Sequence, residues 1–370
     1  VIRVLVDGRV QGSDGIGRYT GQLTRELRAQ AGDAFRITVL DPTPTPRYTR
    51  AEERELAAAA RSAGADIVHV LDYRSPPGEV PSRLIATIHD VLRALHPQFC
   101  YTDDAFIARS GRSALDELAL LADAIPGYPA GAASVHQDYY ARMLALTCAR
   151  ADRIIVPTRV VAGHLAAVTG RTDRVEVSAF GADHLAGAGG GSLVAGRYLL
   201  YVGQARAHKG LTALLEAYTM SGAARAGVAL AFAGRDFAPG EHGADLVTAA
   251  LGPAALPLGE VGDGELALLY THAEALTHLA EHEGFGFTPV EALAHGTRVI
   301  ASDIPVLRET LGSHAVFCQS SPAQVAHAID DLLAADDTPL LRRSRQQWAA
   351  RYRWACHAAD VLHAYRLVMR

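Results

Sequence analysis

Short, mainly apolar runs recur along the chain, each followed by a longer amphipathic stretch. That alternation restricts the fold more than any other feature. The runs lie at Ile2–Val6, Phe35–Leu40, Asp66–Leu71, Arg83–His89, Asp152–Pro157 and Val175–Ser178, then again at Tyr198–Val202, Val228–Ala233, Glu274–Leu279 and Thr297–Ala301. A strand apolar along its whole length is buried on both faces, as in a parallel sheet covered by helices. The reading is α/β, and 370 residues are enough for two such cores. Between the two series lies Ala186-Gly-Ala-Gly-Gly-Gly-Ser192, a flexible linker by composition. The expected division is a first domain over 1–185, a linker over 186–196, a second domain over 197–345 and a terminal segment over 346–370.

The most informative stretch is 276–312. Thr288 suits an N-cap, Pro289 the first helical position, and Glu291 follows three residues after the cap. A helix Pro289–His295 would end at Gly296 in a left-handed cap, with a β-branched strand returning after it. Gly284 and Gly286 leave the first N–H groups of that helix open to an anion. His278-Leu-Ala-Glu281-His282 matches a reversed zinc-protease pattern. That chemistry needs both histidines on one helical face, and a strand followed by two glycines excludes it.

This stretch resembles the signature of the family-4 retaining glycosyltransferases, enzymes of the GT-B fold, while Gly15-Ile-Gly-Arg-Tyr19 and Ile88-His-Asp90 look most like its mannosyltransferase-like subgroup that often uses GDP-sugars. The resemblance rests on Glu283-Gly-Phe-Gly286, on Glu291 with seven residues between the two carboxylates, on Gly296-Thr-x-Val-Ile-Ala-Ser-Asp303 and on Glu309. It implies two Rossmann-like domains facing a central cleft, with a C-terminal helix crossing back to the first. It also implies that Glu283 lies by the donor sugar and Glu291 by the nucleotide ribose, although Thr288-x-x-Glu291 is equally a capping box. Gly284, Phe285, Gly286, Phe287 and Thr288 join them as donor-binding residues.

Other segments extend the resemblance. After the first strand, Gly15-Ile-Gly-Arg-Tyr19 opens a helix that runs to about Ala29. Its glycines do not spell Gly-x-Gly-x-x-Gly, which argues against a nicotinamide cofactor. The family places the Gly15 and Gly17 amides at the donor phosphate, with Gly15 also near the acceptor. Thr87-Ile-His89-Asp90 stands at a strand's carboxyl end, where open parallel sheets bind ligands. By resemblance His89 meets donor and acceptor, and Asp90 is grouped with it. Without the flanking pattern, His89 would read as a histidine hydrogen-bonded in a loop. Gly203-Gln-Ala-Arg206-Ala-His-Lys209 holds the only lysine, the other 34 basic residues being arginines. Lys209 matches the family's pyrophosphate lysine, and Arg206, between Gln204 and His208, is assigned as its partner. Val261 lies in a segment resembling the one whose backbone frames the nucleobase.

Residues 100–140 exceed the family pattern. Asp103–Leu121 reads as one helix and Ile125-Pro-Gly-Tyr-Pro-Ala-Gly131 as a breaker-rich loop. A lid or acceptor wall, an oligomer contact and a mobile surface loop are all consistent with it. In the tail, Trp348, Trp354 and Tyr365 mark an amphipathic stretch matching the family's returning helix, or ordinary core packing.

A net charge of −5 argues against nucleic acid or an anionic membrane as the main partner. The four cysteines have no metal or redox spacing and read as free thiols in a reducing cytoplasm. No apolar run is long enough to span a bilayer, so no integral membrane association is expected. No Asp-x-Asp is placed to carry a metal-bound diphosphate, and no cofactor or metal is expected. The resulting expectation is a metal-independent enzyme moving a sugar from a nucleotide diphosphate, GDP favoured over UDP, to a small soluble acceptor, with a homodimer as one form of the protein. Catalysis would fall to Glu283, His89, Lys209 and Arg206. Glycan elongation, a nucleotide-sugar epimerase on the same architecture, and a binding protein that lost the chemistry are the competing readings.

Overall fold

The structure is a computed structural model that describes residues 1–12, 15–76, 78, 82–125, 132–185 and 190–370. Residues 13–14 of the first glycine loop, 126–131 of the breaker-rich loop and 186–189 of the linker lie outside the described residues. The chain forms two compact units, Val1–Phe180 with Trp354–Arg370, and Gly181–Arg353.

In the first unit, β1 (Ile2–Asp7), β2 (Phe35–Leu40), β3 (Ile67–Val70), β4 (Arg83–Thr87), β5 (Arg153–Val156) and β6 (Val175–Val177) form a parallel sheet in the order β2-β1-β3-β4-β5-β6. Val4, Val6, Val68, Ile85 and Ile154 are all buried, as strands covered on both faces require. In the second unit, β7 (Arg197–Val202), β8 (Val228–Ala233), β9 (Ala255–Gly259), β10 (Ala275–His278), β11 (Val299–Ser302) and β12 (Val316–Cys318) form a parallel sheet in the order β12-β11-β10-β7-β8-β9. That order is the doubly wound Rossmann arrangement. Leu199, Leu230, Phe232, Ala275 and Ile300 share one core with the helices Leu211–Met220 and Pro322–Ala334.

Several elements differ from the sequence reading. The helix expected over Asp103–Leu121 is two helices, Asp103–Ser110 and Arg112–Asp123, because Gly111 at φ 88° breaks the hydrogen-bond ladder. With Val135–Arg150 they enclose their own core of Phe106, Leu118, Tyr139 and Met143. The tail is likewise two helices, Pro339–Ala349 and Trp354–Val368. Trp348 belongs to the former, its indole donating to Thr310 O at 2.8 Å in the second unit.

The helix Trp354–Val368 packs on the helix Gly15–Gln30, and polar contacts fasten it as well. Its Tyr365 hydroxyl lies 2.8 Å from His69 Nδ1, and its His357 Nε2 lies 2.9 Å from the Tyr19 hydroxyl. Burial, reinforced by nearby histidine charge, pushes both His69 and His357 down to about 3. Burial also lowers His136 to about 4 and raises the Glu53 carboxyl to about 8. Below about pH 6.5 the unfolded chain binds protons that the three folded-state histidines refuse. Stability must therefore fall as pH drops from about 6.5 towards 3, each histidine contributing up to about 1.4 kcal/mol per pH unit and Glu53 offsetting one of them. Denaturant unfolding at pH 6.5, 5.5 and 4.5 should show a falling midpoint, and a flat one would contradict the neutral, buried histidines.

Candidate active site

In the second unit the strand order reverses between β7 and β10, and open α/β sheets bind ligands beyond the carboxyl ends of the strands at such a point. The loops leaving β7, β8 and β10 are in backbone contact there. Gly203 N–H donates to Ala233 O at 3.0 Å, and a Cβ on Gly234 would stand 2.0 Å from Gly203 O. Asp236 accepts from Ala205 N–H at 2.9 Å, which holds the start of the β7 loop. The loop then tightens into the 3₁₀ turn Ala207–Lys209 and passes Gly210 at φ 69°. A Cβ on Gly210 would lie 2.3 Å from Leu279 O, and Glu281 N–H donates to His208 O at 2.9 Å.

This lacing brings Lys209 to Glu283. Lys209 Nζ donates to Glu283 Oε1 at 2.5 Å, and His278 Nε2, from the end of β10, donates to the same oxygen at 3.0 Å. The Thr288 hydroxyl lies 3.1 Å from His278 Nδ1 and fixes the ring from its other side. Burial alone would raise the Glu283 carboxyl. The Lys209 charge and the His278 hydrogen bond outweigh it and hold the carboxyl well below the usual carboxylate range. The carboxylate is therefore ionised throughout the physiological range. Burial and the neighbouring Glu283 charge push the Tyr201 hydroxyl up, and it donates to Gln204 O at 2.8 Å.

Thr288 is not the N-cap. The helix runs Phe287–Ala294, and its N-cap is Gly286 in the left-handed conformation. A side chain at Gly286 would also meet Leu307 at 2.8 Å, so this turn excludes other residues and starts the helix before Thr288. Glu291 makes no capping box either. It is 1% exposed, with Oε2 accepting from the Tyr270 hydroxyl at 2.9 Å and Oε1 lying 3.2 Å from His184 Nε2. Phe285 is buried, edge-on to Phe287 and Tyr352, and Gly284 is buried beside it. Arg206 is exposed and has no ion pair among the described residues. Val261 is half-buried after β9, and the next N–H, that of Gly262, is capped by Glu265 at 2.8 Å.

The remaining candidates lie in the first unit, whose strand order reverses between β1 and β3. Gly15 begins the helix after β1, and Gly17 packs against the preceding loop, where a Cβ would stand 2.5 Å from Gly12 O. His89 follows β4, and its Nε2 donates to Leu71 O at 2.8 Å. Asp90 accepts from Leu92 N–H at 2.8 Å and so closes its own turn. The structure thus gathers Lys209, Glu283 and Thr288 in one unit, and Gly15, Gly17, His89 and Asp90 on the carboxyl edge of the other sheet. Sequence reasoning missed His278, His184 and Tyr270, because their partners are far along the chain or were assigned to a ligand. Among the described residues no group of three or more His, Cys, Asp or Glu is placed to hold a metal ion.

The tight contact at Gly210 makes a sharp test. Gly210→Ala adds a strained φ and a clash with Leu279 O, and should cost roughly 1–3 kcal/mol of stability by denaturant unfolding. Gly21→Ala, where a Cβ meets nothing within 4 Å, should be neutral or better.

Residues 193–351 match the family described as glycosyl transferases group 1. The O-antigen chain mannosyltransferase RfbU of Salmonella typhimurium is 48% identical over 60 residues, 16% of this chain and 17% of that protein. The chain thus spans less than a fifth of the length of the first curated relatives it matches. The GDP-mannose:cellobiosyl-diphosphopolyprenol alpha-mannosyltransferase of Xanthomonas campestris is 29% identical over 241 residues, 59% of this chain and 61% of that one. Among solved structures, a sucrose-phosphate synthase from Thermosynechococcus elongatus superposes with a TM-score of 0.70 at 17% identity, over 100% of this chain and 99% of that one. Alr3699/HepE of Anabaena, solved with UDP and glucose, gives 0.67 at 12% identity over 98% and 100%. Residues 193–351 are thus similar to the glycosyl transferases group 1 family, and the two parallel α/β sheets of the chain have the GT-B fold.

Proposed function

We propose that the chain is a retaining, metal-independent glycosyltransferase that moves a sugar from a nucleotide diphosphate to a small soluble acceptor, with GDP-sugars preferred to UDP-sugars. The observation that carries this reading is the Lys209–Glu283–His278 cluster at the strand-order reversal, inside the group 1 domain. The name of the Xanthomonas relative supports GDP, while the Anabaena neighbour holds UDP. The names of the mannosyltransferase relatives favour a second acceptor class, a growing glycan.

In this mechanism the anomeric C–O bond breaks while negative charge gathers on the β-phosphate. The acceptor's nucleophilic atom attacks from the same face, and its proton passes to the leaving phosphate. Lys209 and Arg206 meet the diphosphate charge through preorganised electrostatics. Glu283, kept ionised by the Lys209 charge, orients the donor sugar's hydroxyls with lone pairs not used by Lys209 and His278. Glu291, held by Tyr270 and His184, serves the ribose. His89 contacts donor or acceptor.

A thermal-shift screen of GDP, UDP, ADP and dTDP, each with its sugars, should give the largest rise with a GDP compound. Lys209→Ala should abolish that rise and lower transfer about a hundredfold, roughly 3 kcal/mol. A nucleotide response untouched by Lys209→Ala would overturn the reading.

A further inference from the structure

A buried hydrogen-bond chain runs through the first unit, and its donors all point the same way. Asp360 is exposed, and as a carboxylate it only accepts. The Ser178 hydroxyl donates to Asp360 Oδ2 at 2.8 Å, so Ser178 Oγ must accept from His357 Nδ1–H, also at 2.8 Å. Neutral His357 then has only Nε2 as an acceptor, and the Tyr19 hydroxyl donates to it at 2.9 Å. The Tyr19 oxygen in turn accepts from the Thr87 hydroxyl at 3.0 Å. Thr87 accepts from His69 Nε2–H at 2.9 Å, and His69 Nδ1 accepts from the Tyr365 hydroxyl at 2.8 Å. The order Tyr365, His69, Thr87, Tyr19, His357, Ser178, Asp360 follows from one charged acceptor.

The chain passes through Tyr19 in the middle of the unit. Tyr19 is fully buried, and its ring meets His89 edge to face at 4.7 Å and 89°. Phe180 packs on both rings, at 4.5 Å from Tyr19 and 5.3 Å from His89. Trp354, the first residue of the terminal helix, stacks on Phe180 at 6.5 Å. His89 Nε2–H is held by Leu71 O, and the rings of Tyr19 and Phe180 pack against the same imidazole.

We infer that Tyr19 is a positioning residue for His89, oriented by a one-directional hydrogen-bond chain that runs from the C-terminal helix through the first sheet to Asp360. The inference rests on the proposed role of His89 for its effect on transfer, though not for its geometry. Removing the Tyr19 hydroxyl keeps the ring but takes away the two hydrogen bonds that hold it in place, and leaves His357 Nε2 and the Thr87 hydroxyl without that partner. Loss of orientation at a group that meets the reacting sugar lowers turnover more than binding. The nucleotide-binding groups, Lys209 and Arg206, belong to the second unit and are not supported by this chain.

The direction is readable without any activity assay, because ¹⁵N shifts distinguish histidine tautomers. In the full chain His357 should be the Nδ1–H tautomer and His69 the Nε2–H tautomer. Asp360→Asn, at an exposed site that leaves folding intact, offers Ser178 a donor as well as an acceptor. It should turn His357 into a mixture of tautomers. Tyr19→Phe should move the His89 ring signals and lower kcat on the order of tenfold, with nucleotide KM unchanged. An Nε2–H tautomer at His357 overturns the direction, and a pure Nδ1–H form in Asp360→Asn overturns the role of Asp360. Unmoved His89 signals in Tyr19→Phe, or a nucleotide KM that rises as much as kcat falls, overturns the positioning role. If the unmodified protein transfers no sugar, the proposed function fails, while the His89 signals still decide this inference.

Discussion

The bond between Lys209 and Glu283 depends on two loops that touch along their backbones. The β7 and β10 loops leave neighbouring strands at a reversal of strand order, and Gly210 lets one lie against the Leu279 carbonyl of the other. A side chain at Gly210 would push the Lys209 turn away from the end of β10. An ammonium and a carboxylate held together with little water make an asymmetric pair: losing one partner leaves the other charge stranded at a cost of several kcal/mol. His278 holds the same Glu283 oxygen from a second side.

The first unit solves a different problem. A terminal helix that packs through apolar contacts alone can slide by a residue or rotate at small cost. Tyr365, His357 and Asp360 instead meet His69, Tyr19 and Ser178 at hydrogen-bonding distance, which admits a single register. Fully satisfied buried polar networks specify one arrangement, and partly satisfied ones are penalised heavily. The two histidines remain neutral because burial disfavours their charged forms.

Much of this fold was legible in the sequence, since a strand buried on both faces is written as a continuous apolar run. Ten of the twelve strands fall on such mainly apolar stretches, although Arg36 and Glu176 interrupt β2 and β6, which are only partly buried. β9 does not, because Pro257 interrupts Ala255–Gly259, and a proline is tolerated there only because β9 is an edge strand with a bulge. β12 is three residues long and half-exposed, too short for any periodicity. At the site, Glu283 and the lone Lys209 stood out as residue types at a motif. What the sequence hid was competition for the same groups. Thr288 and Glu291 have capping-box spacing, yet Gly286 takes the cap, His278 takes the threonine, and Tyr270 and His184 take the glutamate. Partners that arrive from 10 to 107 residues away along the chain leave no local pattern.

Because a single lysine serves these 370 residues, acylating and aldehyde reagents meet just one side-chain amine, and it sits at the strand-order reversal in contact with a carboxylate. Covalent tagging of this polypeptide is therefore inherently regioselective: each adduct formed on a side-chain amine reports on that single locus.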